Sequence, residues 1–264
     1  MLGSFGASLV GTTWGVKLLQ DDWQATYIYA AAIGGIMLII VAMFLQDSPK
    51  QAKKTEVKIQ DIISATKQML AKKQTWYIAL MGFAFWAPMS IFGELWGARF
   101  LAGVEHVSLI IAGSQMKWVW IGVALGGPCW GMLSCFNRNL TTKIAYALSF
   151  FSSLAFLYFT IKSMLLMNII LFLFGFACSG QCLSFGFMRE YQDNDVMGAA
   201  VGFTNMFVIS GWPILGPLSG FMLEYMQDEF ALSVIDSMKY TFSMLPIFSI
   251  IGIIIISFLL KQDS

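Results

Sequence analysis

The stretch Gln46–Thr75, QDSPKQAKKTEVKIQDIISATKQMLAKKQT, decides how this chain is read. It carries Lys50, Lys53, Lys54, Lys58, Lys67, Lys72 and Lys73, and it divides eight apolar segments into two before it and six after it. Crossing a bilayer takes about 20 apolar residues at about 1.5 Å each, and the flanking runs are that long. The lysine-rich stretch is therefore a connector between two membrane-embedded groups.

Working outward, the spans are expected near 2–19, 26–45, 76–97, 109–133, 141–161, 164–187, 198–222 and 241–260. The 264 residues are 58% hydrophobic and 12% charged, with a mean hydropathy of +0.71. A soluble domain of this size could not cover so much apolar surface. The runs are continuous rather than alternating over about 10 residues, which selects helices over a barrel. The first segment is rich in glycine and lacks a basic start and a small-residue cleavage site, so a signal peptide is not expected. The fold class is thus an all-α integral membrane protein with eight transmembrane helices.

Placing the connector in the cytoplasm puts both termini and the 134–140 and 188–197 loops on the same side. The inner basic residues are then the seven lysines with Arg138, Lys143, Arg189 and Lys261, eleven in all, against Lys17, Arg99, Lys162 and Lys239 outside. Basic residues beside spans favour the cytoplasm. Acidic residues collect outside, at Asp21, Asp22, Glu105, Glu224, Asp228, Glu229 and Asp236. Within the connector, Val57, Ile59, Ile62, Ile63, Met69 and Leu70 recur at helical spacing between lysines. Two readings stand for this segment: an amphipathic helix on the inner membrane surface, or a solvated linker helix.

A repeat is hidden in the chain. Gly11-Thr-Thr-Trp-Gly15 followed by Gln20-Asp21-Asp22 resembles Gly216-Pro-Leu-Ser-Gly220 followed by Gln227-Asp228-Glu229. The glycines are 205 residues apart and the Gln-Asp pairs 207. Span one therefore corresponds to span seven, and the repeating unit is six spans. On that reading, eight spans are the last two of one unit and the whole of the next.

The entry Asp22-Trp23-Gln24-Ala25-Thr26-Tyr27, the motif Gly126-Gly127-Pro128 with Gly131-Met132-Leu133-Ser134, and the run Gly198-Ala-Ala-Val-Gly202-Phe-Thr-Asn205 with Gly216-Pro217 resemble spans six, eight to nine and eleven of the major facilitator superfamily. The resemblance covers nearly the whole chain. It implies residues 1–45 as the last two helices of an N-terminal half, 46–75 as the cytoplasmic linker, and 76–264 as the C-terminal six-helix half. The first four spans of the front half would be missing, or supplied by a separately encoded N-terminal half. The family's motif continues into an Asp-Arg pair where this chain has Cys135 and Phe136, so the family's charge relay loses those two members and keeps Arg138. Gly127, Gly131, Ser134 and Arg138 are the gating-loop candidates it implies. The phrase Phe92-Gly93-Glu94-Leu95-Trp96-Gly97 resembles a branch from bacteria living inside host cells, which moves amino acids or nucleosides.

Ionisable residues inside a span cost about 2.5–3.5 kcal/mol on insertion scales, so they face a cavity or a partner. Glu94 lies toward the outer end of span three beside Trp86 and Ser90, and Lys117 lies at similar depth on span four. They either pair near the outer mouth or each reach separately to the interface. Cys178, Gln181 and Ser184 form a polar stripe on span six. Gly198, Gly202 and Asn205 share a face of span seven, where the glycines favour close helix packing. Gln181 and Asn205 are either inter-helix hydrogen-bonding groups or substrate contacts. Pro213 and Pro217 make span seven bendable. The four cysteines read as small packing residues, and His106, the single histidine, reads as a solvated loop residue. No nucleotide-binding loop, metal cluster or Ser/His/Asp set is written in the sequence, and no cofactor is expected. The expected function is secondary transport of a small solute across a bacterial inner membrane, coupled to protons, with Glu94, Lys117, Trp86, Gln181 and Asn205 as substrate or coupling candidates. The alternatives are a transport-incompetent membrane protein and an unrelated eight-span membrane enzyme.

Overall fold

The computed structural model describes residues 23–45, 59–193 and 196–259. The expected span at 2–19 and the first part of the connector lie outside these residues. The described chain is helical throughout: α1 Trp23–Phe44, α2 Ile59–Ala71, α3 Lys73–Pro88 continuing as a π-helical stretch Met89–Trp96, α4 Gly97–Glu105, α5 Leu109–Gln115, α6 Lys117–Tyr158, α7 Met164–Cys178, a 3₁₀ turn Ser179–Gln181, α8 Cys182–Tyr191, α9 Met197–Ile209, α10 Gly211–Phe230, α11 Val234–Phe242 and α12 Met244–Ile254, which ends in a π-helical turn Ile255–Leu259. Among the described residues, six stretches are long and apolar enough to cross a membrane.

The stretch Leu109–Tyr158 is 50 residues long, about 75 Å of helix and more than twice a bilayer core. It is broken at Asn137, whose backbone (φ −156°, ψ 99°) is not helical. Asn137 Oδ1 accepts the Leu140 N–H at 2.9 Å and so caps a second helical leg. Elsewhere the helices outrun their expected ends. The stretch expected at 76–97 runs from Lys73 to Glu105, and the one expected at 198–222 runs to Phe230. Both stop at a left-handed residue, His106 (φ 53°) and Ala231 (φ 49°). His106 is thus the terminator of α4, exposed as expected but with a structural part to play. Between α9 and α10 the chain breaks at Ser210, where Pro213 has no N–H for the Ile209 carbonyl and its ring crowds that turn.

Residues 59–193 and 196–259 pack as one body around two apolar clusters. In the first, Phe92 stacks on Phe156 (ring centroids 4.2 Å) and meets Phe174 edge-on at 5.5 Å, with Phe100 and Phe242 beyond. In the second, Phe85 stacks on Tyr146 at 3.7 Å, and the Tyr146 hydroxyl donates to the Met81 carbonyl at 2.7 Å. Close approach of α6 and α7 depends on glycine: a side chain at Gly122 would strike the Phe172 backbone, and one at Gly175 the Val119 backbone. The connector helix α2 does not lie free. Met69 is buried in the second cluster, and Thr75 donates to the Met69 carbonyl at 2.8 Å and accepts from Gln192 Nε2 at 2.7 Å.

α1 contrasts with this body. None of its apolar window is buried, and Tyr27, Leu38 and Phe44 are each at least 68% exposed.

Candidate functional site

Two of the candidates from the sequence, Glu94 and Gln181, fall on irregular helix. Glu94 lies inside the π-helical stretch Met89–Trp96, which starts directly after Pro88 at the end of α3. A π-helical turn widens the helix and changes which face each side chain takes, and such turns are frequent at functional sites. Glu94 is exposed to the surface of the body, with the Trp86 indole within hydrogen-bonding reach of its carboxylate. Ser90, one turn earlier, is buried, and its Oγ has no partner. Gln181 lies in the 3₁₀ turn that interrupts the sixth apolar run between α7 and α8. Its Oε1 is buried with no partner, while its carbonyl accepts from Ser184 Oγ at 2.6 Å. An unsatisfied buried acceptor within an apolar helix is a group available to a solute or to a moving neighbour.

The structure does not join Glu94 to Lys117. The Lys117 ammonium lies over the Trp118 ring, 5.7 Å from its centroid, and no ion pair links it to Glu94 among the described residues. The polar stripe expected on span six also divides. Cys178 and Ser184 are fully buried in the body, and only Gln181 is partly open. Asn205 is exposed on α9. Among the described residues nothing lies within 4 Å of where a side chain would begin at Gly198 or Gly202, so neither glycine serves a close helix contact inside this body. Cys129 and Cys135 are exposed, so the packing reading holds for the buried Cys178 and for Cys182, which packs partly buried against the second cluster.

The gating-loop candidates also separate. Gly127 is buried within α6, and its carbonyl accepts from Cys182 Sγ at 3.7 Å, while Trp130 Nε1 donates to the Phe176 carbonyl at 2.7 Å. This part of the motif packs α6 onto the 3₁₀ turn. Gly131 and Ser134 are close to the break, and Ser134 Oγ donates to the Gly131 carbonyl at 2.7 Å. Arg138, the first residue after Asn137, pairs with Glu190 and lies over the Phe187 ring at 5.4 Å. A second ion pair at this end of the body, Lys72 to Asp193 at 3.5 Å, ties the connector to the segment after α8.

Two contacts have no signal in the sequence. Gln115, buried at the end of α5, donates to Glu105 Oε2 at 2.8 Å, and the other carboxylate oxygen is buried without a partner. Trp96 Nε1 donates to Ser219 Oγ at 3.0 Å, joining the end of the π-helical stretch to α10. Both link residues whose sequence neighbourhoods carry no shared pattern. Glu105 could be singled out from the sequence only as one of several acidic residues near span ends.

The arrangement is a helical body with unsatisfied polar groups at two of its irregular turns and ion pairs clasping its connector end. No curated protein matches this chain. The sequence model of the Major Facilitator Superfamily matches residues 1–217, so the chain belongs to that superfamily of multi-pass membrane transporters.

Proposed function

We propose that the chain acts in secondary transport of a small solute by alternating access, with the body of residues 76–264 rocking against a second body to which residues 1–45 belong. Counting Leu109–Tyr158 as two crossings, on the strength of the Asn137 break, and adding the apolar run 2–19 makes eight spans. The single observation that carries the two-body reading is α1. It is a 22-residue apolar helix with no residue of its membrane window buried, while the later spans share two continuous cores. The open glycines of α9 support it, since small residues without neighbours are where another helix can approach closely. The solute class is an amino acid or a nucleoside, the coupling ion a proton carried by Glu94, and the membrane a bacterial inner membrane with both termini cytoplasmic. Gln181 and Asn205 face the solute path, and Arg138 with Glu190 closes its inner end.

The same observation favours a second reading, that this chain by itself does not transport. A site between two bodies needs polar groups from both. Purified chain reconstituted alone into vesicles, with a proton gradient imposed, separates the readings. Uptake of any solute from a panel of labelled amino acids, nucleosides, sugars and organic anions supports transport, and no uptake across the panel supports the second. Where uptake is found, unchanged flux in both Glu94→Gln and Lys117→Met removes these residues from the mechanism.

A further inference from the structure

The ends of α4, α10 and α11 farthest from the connector enclose a cleft of about 600 Å³. In the proposed orientation it opens to the outside. Its lining includes Arg99 with Trp96, Glu224 and Asp228 one helical turn apart on α10, and the buried apolar side chains of Leu223 and Met238. The cation is held in place. The Arg99 guanidinium lies over the Trp96 ring at 5.4 Å, and that indole is fixed by its 3.0 Å bond to Ser219.

Among the described residues, no ion pair within 4 Å joins Arg99 to Glu224 or to Asp228. A guanidinium and two carboxylates that share one cleft with buried apolar side chains, without a direct ion pair, complement a ligand that carries a carboxylate, an ammonium and an apolar group. A neutral sugar or nucleoside offers neither charge.

We propose that this cleft is a capture site for a zwitterionic small solute, an α-amino acid with an apolar side chain. Its role as a vestibule rests on the transport reading, whereas its binding does not. The test is equilibrium dialysis of labelled L-leucine against the full chain in lipid nanodiscs. Competitors are unlabelled leucine, 3-methylbutylamine, which keeps only the cation, and 4-methylpentanoate, which keeps only the anion. The expected result is saturable leucine binding, at least tenfold weaker displacement by either single-charge analogue, and at least tenfold weaker binding in Arg99→Gln and in the double variant Glu224→Gln/Asp228→Asn. Arg99→Lys keeps most of the affinity, which separates loss of charge from loss of fold, and elution as a single species checks each variant.

No saturable leucine binding, equal displacement by the analogues, or unchanged binding in the charge variants overturns the proposal. Leucine flux that ignores these variants would overturn the site and leave the transport reading standing. Charge-dependent binding without flux of any solute would do the reverse.

Discussion

Arg138 and Glu190 form an ion pair that bridges the turn after the first leg of α6 to the last turn of α8. The guanidinium also covers the Phe187 ring, so one side chain couples the 134–140 turn to the helix that carries the Gln181 turn at its other end. The Glu190 side chain is more than half exposed, so the pair itself contributes about 0–1 kcal/mol. Its weight is in geometry. Glu190→Gln is therefore expected to shift the unfolding midpoint in detergent only slightly, and Arg138→Ala more, because packing on Phe187 is lost as well. If the pair closes the inner end of a solute path, flux should fall in Arg138→Glu and recover in Arg138→Glu with Glu190→Arg. No recovery in the swapped protein would leave the pair a structural contact.

Glu94 and Lys117 take separate aromatic partners, Trp86 and Trp118. Their substitutions are accordingly expected to act independently. In a double-mutant cycle with Glu94→Gln and Lys117→Met, the coupling should lie within about 0.5 kcal/mol, the usual limit for residues that share no partner. Coupling above about 1 kcal/mol would mean that the two meet in another state.

Glycines on the two sides of the body should respond in opposite senses. Gly175→Ala forces a side chain against the Val119 backbone, and overpacking of this kind costs about 1–3 kcal/mol. Gly198→Ala and Gly202→Ala meet open space within a helix, where alanine gains up to about 1 kcal/mol over glycine. Thermal unfolding of the three variants reads this directly. Strong destabilisation by alanine at Gly198 or Gly202 would show that another helix covers that face in the membrane.

The connector is held by Thr75, which bonds both Met69 and Gln192, and by the Lys72–Asp193 pair. Thr75→Val removes the hydroxyl that serves both bonds and leaves the buried Gln192 amide without its acceptor, a loss of about 1–3 kcal/mol. Faster tryptic cleavage at Lys72 and Lys73 in Thr75→Val than in the parent is the expected outcome. Equal rates would mean that burial of Met69 alone holds α2 down.

Tyr146 joins α6 to α3 through a stacked Phe85 and a buried bond to the Met81 carbonyl. Tyr146→Phe keeps the ring and should cost about 1 kcal/mol, while Tyr146→Ala also empties the second cluster and should cost about 3–5 kcal/mol. The ordering of the two midpoints in the same detergent tests whether stacking or hydrogen bonding dominates there.

The amino-acid sequence alone settled the class of this protein, because length and apolar content of a run are sums over neighbouring residues. It also located the break after the first leg of α6, since a polar Asn137-Arg138-Asn139 cluster between apolar runs cannot stay in the bilayer core. The lysine-rich stretch was legible for the same reason. What the sequence left open is which polar residues meet. Each helix residue turns the next side chain by about 100°, so one extra residue in a turn redirects every group beyond it. The π-helical stretch at Met89–Trp96 and the 3₁₀ turn at Ser179–Gln181 are such changes of period, and they contain Glu94 and Gln181. Only the packed structure decided that Glu94 takes Trp86 rather than Lys117, that Arg138 reaches Glu190, and that the glycines of α9 face open space while those between α6 and α7 are tightly enclosed.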